Sequence, residues 1–238
     1  ASSKKKIIKG GFFMTRRRFP VGKTLLYVFM SLWALTTIYP FIWVILNSFK
    51  PRGLIRSDTF SLPIGDKFTL ENYVTAFKRV DIGTAYVNSI VISGAVTVVV
   101  MVLAGLAAYA MVRYSFRLRG FLHSMIIASM MFPVFSTIIP VFRMESSWGI
   151  VNTGSIWLTR LSVVLPQIAG NLSFAIIVLM GFIRSLPVDL EEAAYLEGYN
   201  VYQIFFRIIM PLAKPSFATV GIFTFLWSYN DLFLQMFF

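Results

Sequence analysis

The residues best suited to a specific task lie in a polar, acidic segment at 186–215, between two apolar runs. Carboxylates open this segment, where the positive end of a helix dipole favours them. Two alanines follow, and their small side chains favour a helix that another surface could approach closely. Gly198 can then adopt the left-handed conformation that ends a helix. The pattern predicts a helix, a sharp turn and a second helix that dock on a partner. The predicted docking residues are Glu191, Glu192, Ala193, Ala194, Glu197 and Gly198.

The alternative for this segment is a helix that lies at the membrane surface without a partner. Such interfacial helices usually carry Lys or Arg on their polar face. Because this segment is acidic at its start, its composition favours the docking element.

The composition of the chain is that of a membrane protein. Hydrophobic residues make up 57% of its 238 residues, charged residues only 13%, and the net charge is +12. The positive residues lie between apolar runs, as in membrane proteins with basic cytosolic loops, and this excludes a nucleic-acid-binding surface. The chain has no Cys and a single His, His123, so disulfides, Cys-ligated metals and His-rich metal sites are excluded.

The apolar runs predict five membrane-spanning helices, with most of the 22 Lys and Arg residues on the cytosolic side. The N-terminus is therefore expected in the cytosol, and the last predicted helix would end outside. The predicted organisation is a basic cytosolic arm at 1–23, a first transmembrane helix at 24–46, an extracytoplasmic segment at 47–85 and a helical core at 86–238. The further predicted spans are 86–112, 121–142, 161–183 and 216–238.

Two features are expected to shape the middle of this core. Pro133 and Pro140 lie in the third predicted span, where each removes a backbone donor and bends the helix. An outer loop is expected at 143–160, because Gly149 and Gly154 are turn signals.

Polar residues inside the predicted spans are candidates for a solute path. Gln167 and Asn171 are four residues apart and share a helix face, and their amides both donate and accept hydrogen bonds, as sugar hydroxyls require. Ordinary hydrogen bonding between helices is the alternative for this pair. Trp227 could stack on a sugar ring, and Asn230 lies nearby in the same span. Aromatic packing and helix-end structure account for these two residues at least as well.

The sequence Glu192-Ala193-Ala194, with Gly198 and Pro211 at matching distances, closely resembles the EAA loop of ABC-importer permeases. The resemblance covers residues 24–238 and is strongest to the carbohydrate-uptake branch, which includes the smaller permease of the maltose transporter. Met210 and Tyr229 depart from the family pattern, which usually has Leu and Trp there. The other matching motifs are Asn88-Ser89, Ala108-Tyr109-Ala110 with Arg113, Pro133 and Pro140, Gly149-Ile150-Val151-Asn152-Thr153, and Trp227-Ser228-Tyr229-Asn230-Asp231.

This resemblance implies an all-α integral membrane protein with the transmembrane fold of a type I ABC importer. The family has six transmembrane helices, so the five predicted here leave the sixth missing, and truncation is the expected reason. It further implies a non-catalytic subunit in a prokaryotic plasma membrane, surrounded by lipid. The implied partners are a second permease, two ATPase subunits that dock on the EAA loop, and an extracytoplasmic substrate-binding protein.

ATP and Mg are expected on the ATPase subunits, because this chain lacks the Gly-x4-Gly-Lys-Ser/Thr loop that cradles nucleotide phosphates. Two alternatives to a sugar importer remain open. One is an ABC importer for another small solute, such as an osmolyte or an amino acid. The other is a secondary transporter, which would need carboxylates inside the membrane, where Asp231 is the sole candidate.

Overall fold

The computed structural model describes residues 21–151 and 153–238, and the regular structure within these ranges is helical. Most of the predicted basic arm at 1–23 and Asn152 therefore lie outside the described residues. The chain divides into two compact units, the first ending at Ile82 and the second running from Gly83 to Phe238.

The first unit contains one long helix followed by a small folded segment. Helix α1 (Val21–Ser48) includes the predicted first span, and its apolar side chains are exposed along most of its length, as suits a helix in lipid. Hydrogen bonds tie the following segment together. Asn72 donates to the carbonyls of Ser48 and Lys50, at 2.9 and 2.7 Å. The shorter elements are α2 (Arg52–Ser57), a 3₁₀ turn at Gly65–Lys67 and α3 (Glu71–Arg79).

The second unit is a helical bundle, and the polar segment at 186–215 connects helices within it. Its long helices are α4 (Ile82–Arg113) and α7 (Ile156–Ser185). In chain order, the other elements are α5 (Arg119–Ser129), α6 (Val134–Ser147), α8 (Asp189–Leu196), α9 (Val201–Ile204), the π-helical turn Phe205–Ile209, α10 (Met210–Leu212), α11 (Lys214–Tyr229) and α12 (Leu232–Phe237). The predicted acidic segment forms α8, α9, the π-helical turn and α10.

Among the described residues, three helices are long and apolar enough to cross a membrane: α1, α4 and α7. A fourth is counted if Val201–Leu212 and Lys214–Phe237, which meet at an angle of 81°, are taken as one bent span. The five predicted spans are thus not all single long helices.

The third predicted span, 121–142, is broken instead of only bent. Helix α5 ends at Ser129, and α6 starts at Val134 after Pro133, whose backbone is extended. Proline lacks the N–H that a continuous helix needs, and it disfavours the helical conformation of the residue before it. Pro140, by contrast, lies within α6. Whether the two halves together cross the membrane stays a prediction.

The connection predicted as an outer loop is shorter than 143–160. Helix α6 continues to Ser147 and α7 already begins at Ile156. The turn signals lie in the remaining connection, where Gly149 and Gly154 have φ values of +70° and +73°. These left-handed conformations suit glycine, so the sequence correctly marked the turn and extended it too far into both helices.

Helix α4 contributes a buried face to the core of the second unit, which includes Val96 and Val100. Small residues let helices approach closely, and Ala104 and Ala108 are fully buried. Gly105 is a point of close approach. A methyl group added there would lie 2.8 Å from the Phe217 ring and 3.0 Å from the Phe205 ring. Glycine at this position therefore allows α11 and the π-helical turn to pack directly on α4.

Candidate functional site

Helix α8 presents two different faces. Glu191 and Ala194, three residues apart, are buried against the rest of the second unit. Glu192, Ala193 and Glu197 are exposed. The six predicted docking residues therefore fall into two groups, and only the exposed group, with Gly198, is available to a partner.

The end of α8 is defined by Gly198, whose φ is +86°, the left-handed conformation that the sequence predicts. Its N–H donates to the carbonyl of Tyr195 at 3.0 Å. Helix α9 then starts with a capping box, in which the side chains of Asn200 and Gln203 each bond to the other's backbone N–H. The predicted arrangement of helix, sharp turn and second helix is therefore present at 186–215.

Leu196 is a surface residue that the sequence did not single out. It ends α8 and is 90% exposed. A leucine in a helix normally suggests a core position, so the hydrophobicity of Leu196 gave no indication of its exposure. Its position in the sequence did give one, because Leu196 is four residues after Glu192 and lies on the same helix face. The outward face of α8 therefore combines carboxylates with a projecting apolar side chain.

The buried face of α8 is held by a hydrogen-bond network to α4. Arg113 Nε lies 2.5 Å from Glu191 Oε1, and the Tyr109 hydroxyl donates to Glu191 Oε2 at 2.8 Å. The Arg113 guanidinium also donates to the carbonyl of Leu186 at 2.9 Å. The sequence marked Tyr109 and Arg113 only as part of a family motif. Their partner is about 80 residues away, so no local pattern could reveal it.

The predicted amide pair of the solute path is buried between helices. Gln167 and Asn171 are 2% and 9% exposed. The Ser228 hydroxyl donates to Gln167 Oε1 at 2.5 Å, and its oxygen lies 3.2 Å from the Ser93 hydroxyl, which links α7, α11 and α4. Asn171 donates to the carbonyl of Gln167. These contacts are hydrogen bonds between and within helices, although Gln167 Nε2 has no partner among the described residues.

The other two predicted path residues lie at the end of α11. Trp227 is half exposed and packs against Phe174, with ring centroids 4.9 Å apart. Asn230 is exposed, and its side chain donates to the carbonyl of Leu226 at 2.7 Å. Asp231 accepts from the Leu234 N–H and begins α12. Aromatic packing and helix-end structure account for these contacts.

A cavity of about 500 Å³ lies in the second unit, between the break after α5, α6, α7 and α12. Its wall is mainly apolar. Glu145 also lines it, is only 1% exposed and has an Oε2 atom with no partner among the described residues. The sequence placed Glu145 in a solvated outer loop and therefore gave no reason to single it out.

More than half of the chain matches a known protein family. A family described as "binding-protein-dependent transport system inner membrane component" matches residues 101–238. The chain is 35% identical over 210 residues to the diacetylchitobiose uptake system permease protein of Streptomyces coelicolor, covering 88% of this chain and 67% of the relative. It is 33% identical over 199 residues to the trehalose transport system permease protein of Mycobacterium tuberculosis, covering 84% and 69%.

A solved structure shares the fold. It is the crystal structure of a bacterial ABC transporter involved in the import of the acidic polysaccharide alginate. The TM-score is 0.75 at 23% sequence identity, and the match covers 89% of this chain and 71% of that chain.

Proposed function

The chain belongs to the family of binding-protein-dependent transport system inner membrane components, and from this premise we propose that it is the permease subunit of an ATP-driven importer of sugars or oligosaccharides. Its docking element is the exposed face of α8, which we define as Glu192, Ala193, Leu196, Glu197 and Gly198. The observation that carries the proposal is this face, because it combines exposed charge with the 90% exposed Leu196.

The substrate class comes from the relatives. The Streptomyces relative is named for diacetylchitobiose uptake and the Mycobacterium relative for trehalose transport. Both compounds are disaccharides, so the proposed substrate of this chain is a sugar of similar or greater length. The 500 Å³ cavity supports the proposal as a space of suitable size within the second unit.

The proposed partners are a second permease, two ATPase subunits that hold ATP and Mg, and an extracytoplasmic substrate-binding protein. In this arrangement the N-terminus and the segment at 186–215 face the cytosol of a prokaryotic cell. Closure of the ATPase pair displaces the exposed face of α8 and rocks the helices between inward and outward access. ATP hydrolysis supplies the free energy, and the different affinities of the partners for these two states couple it to the motion.

The test is transport by the chain purified with its own partners and reconstituted in proteoliposomes. Uptake of radiolabelled diacetylchitobiose and trehalose is measured together with ATP hydrolysis. We expect uptake of at least one sugar, dependent on ATP and on the binding protein. Uptake of a sugar by this chain alone, without ATP, would contradict the proposal and support a secondary transporter.

Two variants test the exposed face of α8. Gly198→Ala puts a side chain on a backbone with φ of +86°, at a cost of about 1–2 kcal/mol, although no neighbouring atom would clash. Glu192→Lys reverses an exposed charge. Both are expected to lower the sugar imported per ATP hydrolysed while the protein still inserts in the membrane.

The matched controls are Gly181→Ala and Glu71→Lys. Gly181 lies in α7 with no atom within 4 Å of an added methyl group, and Glu71 is exposed in α3. Both controls should transport normally. Wild-type uptake per ATP in both Gly198→Ala and Glu192→Lys would contradict the docking role of α8.

A further inference from the structure

Helix α8 is too short to hold its own position. It has eight residues, and isolated helices of fewer than about 12 residues are marginal in water. One exposed side chain of α8 contributes to its placement, because the Tyr195 hydroxyl forms a hydrogen bond with the Tyr114 hydroxyl at 2.9 Å. The buried contacts lie on the other face, where Glu191 meets Tyr109 and Arg113.

The geometry of this contact fixes Glu191 at both carboxylate oxygens. Arg113 binds Oε1 and Tyr109 binds Oε2. Tyr109 and Arg113 are four residues apart, so they project from the same face at the end of α4. Two partners on two oxygens leave the carboxylate little freedom to turn, so the contact holds orientation as well as distance.

Burial makes the contact difficult to release. Glu191 is 4% exposed and Tyr109 is 3% exposed, and the Arg113 side chain is 10% exposed. Separating the charges would leave a buried carboxylate without its partners, which is strongly unfavourable. Arg113 also binds the carbonyl of Leu186, just after α7 ends. One side chain thus joins the end of α4, the end of α7 and the start of α8.

We propose that Tyr109, Arg113 and Glu191 form a latch that makes α8 move as one body with the cytosolic end of α4. This inference rests on the proposed function and adds how the displacement is passed on. The ATPase would contact the exposed face of α8, whereas Glu191 would touch no partner. Tyr109, Arg113 and Glu191 are thus positioning residues, and the motion reaches the buried core of the second unit through α4.

The test separates motion from folding by removing every polar group of the latch together. The triple variant Tyr109→Phe/Arg113→Met/Glu191→Leu leaves no unpaired buried charge, and apolar replacement of a buried ion pair is often neutral or stabilising. It should therefore assemble with its partners as the wild type does. We expect uptake of diacetylchitobiose or trehalose per ATP to fall about tenfold, a typical size for coupling between sites.

A distance measurement gives the readout that a purely structural role would not change. These 238 residues contain no cysteine, so spin labels on Leu103→Cys in α4 and Asp189→Cys in α8 are the only ones within them. Both positions are exposed. In the assembled complex, the wild-type distance should be the same without nucleotide and with ATP plus vanadate. In the triple variant the distance should differ between these two states.

Arg117→Met is the matched control, because it removes the same charge from an exposed position four residues after Arg113. It should keep wild-type uptake and a constant distance. A wild-type distance that changes with nucleotide, or normal uptake per ATP in the triple variant, would overturn the latch. Full uptake in Glu192→Lys with a constant wild-type distance would instead contradict the docking role of α8 and not the attachment of α8 to α4.

Discussion

Among the described residues, two ion pairs of nearly equal length have very different surroundings. Arg113 and Glu191 in the second unit are 2.5 Å apart, with side chains 10% and 5% exposed. Lys67 and Asp58 in the first unit are 2.6 Å apart, and both side chains are 43% exposed. The distances alone would rank these pairs as equals.

The two ion pairs differ in their access to water. When an exposed pair is broken, solvent takes the place of each partner, and such pairs contribute little to stability. When a buried pair is broken, the remaining charge has no substitute and its desolvation is left uncompensated. The buried pair therefore fixes the place of α8, whereas the exposed pair leaves the stability of its segment almost unchanged.

The largest effect is expected for Arg113→Met, which leaves Glu191 buried without its cation. We expect a loss of about 3–5 kcal/mol in the stability of the second unit, as for other buried pairs broken on one side. The measurement is thermal unfolding of the detergent-solubilised complex. Lys67→Met is the matched control and should have the melting temperature of the wild type. Equal melting of Arg113→Met and Lys67→Met would remove the contrast between the two pairs.

Tyr109→Phe should have a smaller effect of the same kind. It removes only the hydroxyl that donates to Glu191 Oε2 at 2.8 Å, and hydrogen bonds to charged groups contribute about 1.5–3 kcal/mol. Thermal unfolding again provides the measurement. Tyr114→Phe is the control, because the Tyr114 hydroxyl pairs with Tyr195 in an exposed position. A loss as large in Tyr114→Phe would show that burial is not the deciding factor.

Gly105→Ala tests whether the close approach to α4 supports the buried pair. The added methyl group would lie 2.8 Å from the Phe217 ring and 3.0 Å from the Phe205 ring, so both rings must shift. We expect a loss of about 1 kcal/mol, at the low end for an overpacked core. Gly94→Ala in the same helix meets no atom within 4 Å and should be neutral or slightly stabilising. A stable Gly105→Ala protein would mean that this packing is loose.

The smallest effect is expected at the exposed pair, and it should depend on pH. The hydrogen bond from Lys67 holds the pKa of Asp58 below its ordinary value of 3.8. A lowered pKa in the folded state stabilises the fold above the unfolded pKa, and this contribution is lost as the pH falls through the folded value. Asp58→Asn should therefore match the wild type closely at pH 7, and any small difference in melting temperature should shrink towards pH 3. A difference that grows on acidification would contradict this.

The features that depend on local rules could be predicted from the sequence. Its apolar runs identify a membrane protein, because about 20 apolar residues are needed to cross a bilayer. The acidic start and the glycine at 198 predict a helix that ends in a left-handed turn, and both are present. These properties depend on neighbouring residues and on the solvent, so no knowledge of distant contacts was needed.

Only the tertiary structure decided which side chains meet. Glu191 and Glu192 are adjacent and chemically identical, yet one is buried on Arg113 and the other is exposed. Likewise, the partner of Gln167 is Ser228, 61 residues later. The sequence also did not predict the break at Pro133 or the extension of α6 and α7 into the predicted loop. The physical reason is that burial and pairing depend on how separate helices pack. The spacing of residues along one helix does not specify which other helix packs on each of its faces.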